Sequence, residues 1–205
     1  MSPTPHITVC ICTYRRAELL TRLLKSLKQQ EIDGRFTFSV VVADNDDLES
    51  ARTIVAQLAP TLGYSIVYCV EPRKNIALVR NQALSQAEGE FIAFIDDDEF
   101  PVAPWLKHAL TTCERLNVDG VLGPVEPHFD QEPPTWLRRG GFYDRPRHET
   151  GFPLAWPECR TGNVLFRRSI LAGVDQPFHA EFGSGGEDQD FFCRMIEAGR
   201  NSRQF

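Results

Sequence analysis

Two groups of acidic residues stand where acids gain nothing from packing. The first, Asp96-Asp97-Asp98-Glu99, follows the apolar run FIAFI (Phe91–Ile95) without a break. The second is Glu187, Asp188 and Asp190 in GGEDQD, at the start of what reads as a helix. Adjacent carboxylates raise one another's pKa unless a cation offsets them. Mg²⁺ and Mn²⁺ take oxygen ligands, often one or two carboxylates with substrate phosphates supplying more. Asp96 and Asp98 are two positions apart, and at a strand end that spacing can aim both at one ion or nucleotide. A solvated acidic turn would use the same residues, but the strand directly before them favours the metal reading. At the helix, the dipole stabilises anions. That suits simple capping, and equally a carboxylate kept ionised to serve as a general base. Spacing alone does not choose between the two. The glycines before it would let a substrate approach closely.

The elements that must position these acids follow from periodicity. Near-continuous apolar runs over Ile7–Cys12, Phe36–Asn45, Ser65–Val70 and Phe91–Ile95 read as strands. Between them, helical spacing covers Ala17–Gln30, Ser50–Leu62 and Ile76–Ala87, the last with Asn75 as N-cap and Gly89 as stop. Strands of this kind are buried on both faces, as in a mostly parallel sheet between helices. Ligands of open α/β sheets bind beyond the carboxyl ends of the strands. Three such ends are polar, Thr13-Tyr14, Asp44-Asn45 and Asp96–Glu99, and they are expected to meet in one crevice. Further on, a helix is expected over Trp105–Leu116 and strands over Val118–Glu126 and Gly162–Phe166. Pro127–Pro157 is rich in Pro, Gly, Arg and aromatics, and an irregular stretch of that length is usually functional or disordered. The final helix is expected to close at Gly199.

Composition narrows the class. A chain of 205 residues, 42% of them hydrophobic, suits one domain. Its 22 basic residues are scattered among 28 acidic ones, so no basic stripe points to nucleic acid. No apolar run reaches the roughly 20 residues of a membrane span, and the N-terminus lacks the pattern of a signal peptide. The six cysteines form no CxxC pair and read as reduced thiols of a cytoplasmic protein. A peripheral place at the inner face of the plasma membrane stays open. Neither GxGxxG after the first strand nor GxxxxGK[ST] is present. Phosphates must then be held by a metal and by side chains such as Arg80, whose alternative reading is a surface residue paired to a nearby acid.

The motifs ICTYRR, VVVADN, RKNIALVRNQAL, GEFIAFIDDDEF, RTGNVLFRR and GGEDQDFFCR occur in this order. Together they resemble the family 2 glycosyltransferases, and within them the bacterial exopolysaccharide (succinoglycan-type) glucosyltransferases. The resemblance implies a GT-A fold, a Rossmann-type three-layer α/β/α sandwich. It implies a metal-dependent inverting transfer of a hexose from a nucleoside diphosphate sugar, with UDP the expected nucleotide, to a glycan or lipid-linked acceptor. Thr13 and Tyr14 match the segment against the base, with Tyr14 able to stack on it. Asp44 matches the aspartate that hydrogen-bonds the base. Arg16 and Arg80 count among the nucleotide-sugar contacts. Asp96 and Asp98 match the DxD motif, with Asp98 the principal ligand of Mg²⁺ or Mn²⁺, Asp96 beside it, and Asp96 and Asp97 near ribose and phosphate. Asn163, in the Thr161-Gly162-Asn163 loop, matches the region beside the donor sugar. Asp188 matches the catalytic base and Glu187 its acidic neighbour. Residues 1–126 would then bind the nucleotide sugar and residues 127–205 the acceptor, with Trp136, Tyr143 and Trp156 shaping that site. Family members continue past this helix into another strand, so the acceptor half is expected to be incomplete at Arg200–Phe205. Two competing readings are a nucleotide-sugar-binding fragment without turnover and a sugar nucleotidyltransferase. The second normally carries a glycine-rich phosphate segment after its first strand.

Overall fold

The computed structural model describes residues 4–197. The expected closure at Gly199 and the tail Arg200–Phe205 lie outside the described residues. Strands β1 (His6–Thr13), β2 (Thr37–Asp44), β3 (Ser65–Val70) and β4 (Phe91–Phe94) alternate with helices α1 (Ala17–Leu27), α2 (Arg52–Leu62) and α3 (Ile76–Ser85). Helix α4 (Trp105–Leu116) leads into β5 (Gly120–Leu122), short helix α5 (Thr135–Gly140), β6 (Val164–Arg167) and α6 (Glu187–Glu197). The six strands form one sheet in the order β3-β2-β1-β4-β6-β5. β1 to β4 run parallel, while β6 lies antiparallel to both β4 and β5. The sheet is therefore mostly parallel, as expected.

Alternation along each strand sorts side chains into two cores. Ile7, Val9 and Ile11 of β1, Val40 and Val42 of β2, and Phe91 and Ala93 of β4 join Leu20, Leu23, Leu24 and Leu27 of α1 with Leu106 and Leu110 of α4. Cys10, Val41, Ala43, Ile92 and Phe94 point the other way, onto Ala77, Val79 and Ala83 of α3 and Phe191, Phe192 and Met195 of α6. Both faces are thus apolar, which is why β1, β2 and β4 read as near-continuous hydrophobic runs. Helix α3 starts where the sequence placed it: the Asn75 side chain accepts from the Leu78 amide at 3.0 Å.

Two expectations need correction. The strand expected over Val118–Glu126 is only Gly120–Leu122, because β6 offers a partner only as far as Val164, opposite Leu122. The strand expected from Gly162 begins at Val164, because Asn163 takes a left-handed φ of 55° and turns the chain there.

Candidate active site

The three polar strand ends do meet. The Asn45 amide donates to the Thr13 carbonyl at 2.8 Å, tying the tip of β2 to that of β1. The Thr13 hydroxyl donates to Asp97 at 2.7 Å, tying β1 to the acidic run after β4. Arg16 closes this side, one guanidinium nitrogen reaching both Asp97 and Asp98 at 3.0 Å. Burial raises the pKa of Asp97, while Thr13 and Arg16 pull it back down.

Across the crevice stands the start of α6. Arg80, buried on α3, forms an ion pair with buried Glu187 and lies 3.6 Å from Asp96. One arginine thus links the tip of β4 to the first residue of α6. Desolvation raises Glu187, Arg80 lowers it, and Asp188 and Asp96 raise it again. Asp96 behaves alike: burial raises it, Arg80 lowers it, and Asp98, Asp97 and Asp188 push it up. These mutual effects put Asp96, Asp188 and Glu187 in one electrostatic neighbourhood, although 92 positions separate Asp96 from Asp188. Asp188 accepts from the next backbone amide, Gln189, at 2.8 Å, and its side chain is only partly buried. Gly185 and Gly186, with φ of 131° and 90°, supply the turn into the helix that side-chain-bearing residues rarely adopt.

Three participants had been given no role of their own in the sequence. Glu99 is pushed up to about 7, first by desolvation and then by Asp96. Gly162 lies against both acids: a Cβ there would sit 2.9 Å from Glu99 and 3.1 Å from Asp96. Its bare backbone therefore borders the acidic tip, and only the position of a glycine in RTGNV could have hinted at it. A third, Arg15, has a φ of 55° and makes two bonds to Asp46, at 3.0 and 3.1 Å. That contact holds Asp46 down to about 2.

Two of the residues expected to meet the donor have partners within the chain. Asp44 is fully buried, and its carboxylate accepts from the Asp46 amide at 3.1 Å and from the Ala51 amide and the Tyr68 hydroxyl at 2.8 Å. It organises the loop after β2 from within. Asn163 is likewise spent on the chain: it accepts from the Trp105 indole at 2.6 Å and donates to the Pro124 carbonyl at 2.8 Å. Its neighbour Gly162 is what reaches the acidic cluster. Tyr14 stands beside the crevice with Lys74 4.6 Å and Arg15 5.1 Å from its ring centroid, so cations attend the ring proposed for a base. Of the aromatics expected in an acceptor site, Trp136 and Tyr143 are exposed, whereas Trp156 packs against the second core.

The donor set suits a hard divalent ion. Asp96 and Asp98 are both about half exposed, at 50% and 49%, and so can be reached from the crevice. Uncompensated repulsion among the acids is what such an ion would relieve. Among the described residues, no three His, Cys, Asp or Glu side chains are placed to share one ion. An ion here would therefore take one or two carboxylates and draw its remaining oxygens from water and substrate, the usual habit of Mg²⁺.

The chain and its fold have counterparts among known proteins. Residues 8–174 match the family described as Glycosyl transferase family 2. The chain is 40% identical to the succinoglycan biosynthesis protein ExoM of Rhizobium meliloti, over 96% of this chain and 63% of that protein. It therefore spans less than two thirds of that relative's length. Staphylococcus aureus TarS residues 1–349, solved with UDP, superposes with a TM-score of 0.69 at 26% identity, covering 92% of this chain and 54% of that one. A mannosyltransferase from Pyrobaculum calidifontis, solved with GDP-Man and Mn²⁺, shares the fold with a TM-score of 0.68 at 21% identity, covering 97% and 54%.

Proposed function

As the chain belongs to glycosyltransferase family 2, we propose that it transfers a hexose from a nucleoside diphosphate sugar, with UDP the favoured nucleotide, to a glycan or lipid-linked acceptor during exopolysaccharide synthesis, inverting the anomeric carbon. The observation that carries this reading is the facing pair of acidic groups, Asp96–Asp98 at the tip of β4 and Glu187-Asp188 at the start of α6, joined through Arg80. One group suits the departing diphosphate and the other the incoming hydroxyl. The likeness to ExoM and to TarS with UDP supports the pathway and the donor class.

Asp98 and Asp96 would hold Mg²⁺ or Mn²⁺. When bound, the ion offsets the charge that gathers on the diphosphate as it leaves. Thr13 and Arg16 fix Asp97 and Asp98 in place before substrate arrives. Tyr14 and Lys74 line the base side, and the bare edge of Gly162 leaves room beside Asp96 for the sugar. Asp188 takes the proton from the acceptor hydroxyl as its oxygen attacks the anomeric carbon. The new carbon–oxygen bond forms on the face opposite the breaking bond to the diphosphate, which departs with the electron pair. A single displacement of this kind inverts the centre. Asp188 stands in the first turn of α6, the end of a helix where the dipole favours an anion. Glu187, bound to Arg80, fixes the first turn that presents it. Residues 123–163 would frame the acceptor.

The test is turnover of UDP-hexoses, read as release of UDP with or without acceptor. Asp188→Asn should lower the rate by about 10²–10⁴-fold, the usual worth of a general base, while UDP binding stays. Release of pyrophosphate instead of UDP would point to a nucleotidyltransferase. Absence of turnover in the unmutated chain, with UDP bound, would leave a binding module.

A further inference from the structure

Of the acids in GGEDQD, Asp190 has no part in the proposed reaction. Its carboxylate accepts two bonds from Arg194, at 2.9 and 2.7 Å, and stands 3.3 Å from His179. Arg194 also donates to the Pro177 carbonyl. These contacts fasten residues 177–183 to α6. From the other side, α3 fastens the same segment. The Asn81 side chain donates to the Phe178 carbonyl at 2.7 Å and accepts from the Phe178 amide at 3.0 Å, in the manner of a neighbouring strand. Asn75 donates to the Ala180 carbonyl at 2.9 Å, and the Ile76 amide to that of Gly183 at 3.1 Å. A Cβ on Gly183 would collide with the Asn75 side chain, so the segment lies close against the helix. A strap outside the sheet thus has its backbone groups answered from two helices.

Phe178 points inward from this strap and is fully buried. Its ring meets Phe94, the last residue of β4, edge-on at 5.9 Å and stacks with Phe191 of α6 at 4.8 Å. The Arg80 guanidinium lies 5.8 Å from the ring centroid. Phe94 is two positions before Asp96, and Phe191 is three after Asp188. One ring therefore touches the three elements that carry the two facing acidic groups and the arginine between them. Arg80 reaches both groups on a long side chain with much rotamer freedom. The ring, by contrast, is packed between the elements themselves, and a close-packed core transmits displacement. An in-line displacement needs its groups at a fixed separation, and an error near 1 Å can cost about a hundredfold in rate.

We propose that Phe178, clamped by Asn81, is a positioning residue of the transfer: it sets the distance between the tip of β4 and the start of α6, and so between the departing diphosphate and Asp188. This rests on the transferase reading above and deepens it, giving the segment before GGEDQD a part in the reaction without contact with either substrate.

Three measurements on the full chain test it together: initial rates of UDP release from UDP-glucose or UDP-galactose in Mn²⁺, calorimetry of UDP, and amide hydrogen exchange. Phe178→Leu keeps an apolar side chain and removes the ring. Asn81→Asp keeps the bond from the Phe178 amide and loses the one to its carbonyl, and it carries the test should Phe178→Leu not fold. In folded Phe178→Leu, kcat should fall by roughly tenfold or more, with donor KM and UDP affinity within about twofold of the unmutated chain. Asn81→Asp should show the same split at about threefold. In both, the amides of residues 190–192 should exchange about tenfold faster or more, beginning with Asp190, whose amide donates to the Gly186 carbonyl at 3.0 Å. A lowered Tm with kcat unchanged would make Phe178 core filling alone and overturn the proposal. A loss of UDP affinity in step with kcat would also overturn it, since the effect would then lie on the donor wall. Absence of turnover in the unmutated chain sinks the transferase reading, and exchange then decides the strap separately. Faster exchange at 190–192 in the variants upholds its hold on α6, and unchanged exchange overturns it.

Discussion

The two walls of the crevice are built in opposite ways. The wall made by the tips of β1, β2 and β4 is short and densely bonded. Asn45 alone donates to the carbonyls of Glu71 and Arg73, at 2.8 and 2.7 Å, and accepts from the Asn75 amide at 2.9 Å. Asp44, Asp46 and Asp97 are each held by at least two partners from other positions. The wall from Gly123 to Asn163 has one short α-helix, a single 3-10 turn over Trp156–Glu158, and a string of exposed residues. It is anchored at its ends, where the Gly123 amide donates to the Asn163 carbonyl at 2.9 Å and Asn163 grips Trp105, and by Leu154, Trp156 and buried Cys159 against the second core. A site assembled before its ligand arrives loses less ordering entropy on binding. Under the proposed function, the contrast would give the donor a preformed fit and the acceptor a surface completed as it docks.

That contrast can be broken most forcefully at Asn45. Asn45→Ala removes three bonds at a buried position and leaves two carbonyls and an amide unanswered. Chemical denaturation should show a loss of about 2–4 kcal/mol, together with weaker UDP binding. A loss under 1 kcal/mol would mean that the donor wall is not a latched unit.

The next effect is a pH dependence. Glu99 has its pKa raised to about 7 in the folded chain, against an ordinary carboxylate in the unfolded one. The folded state therefore holds the extra proton between roughly pH 4.5 and 7, and stability falls as pH rises through that window. Thermal melts in chelator should show a Tm that drops from pH 5 to 7.5, by no more than a few degrees given partial solvent screening. Mn²⁺ should restore it at the upper end. A Tm that climbs over this range would remove the crowding of acids on which the metal reading relies.

The smallest change is expected across the crevice. Trp136→Ala should move stability by less than about 0.5 kcal/mol, as at exposed sites generally, and leave UDP affinity alone. A larger loss would show that Trp136 is a packed part of the fold.

How much of this the residues announce differs along the same division. Continuous apolar runs wrote β1, β2 and β4 plainly, because burial on both faces leaves little room for polar residues. The acids after Phe94 stood out for the converse reason, a charged run where packing gives no return. What escaped was tertiary. Nothing near Asp44 in the chain tells that Tyr68, 24 positions on, would occupy its carboxylate. Asn163 sits in a loop that the family resemblance tied to the donor sugar, yet its partner Trp105 lies 58 positions away. The reach of Arg80 to both Asp96 and Glu187 depends on how α3 packs beneath α6, which no local pattern encodes.

The account stands or falls on the acidic tip of β4 as the seat of a divalent ion shared with the donor. Titration calorimetry of UDP, in Mn²⁺ and then in chelator, addresses it directly, with Asp98→Ala as the companion. Affinity should fall by tenfold or more, to order of magnitude, when the ion is removed, and Asp98→Ala should bind alike in both buffers. Equal UDP affinity with and without Mn²⁺ in the unmutated, folded chain would contradict it.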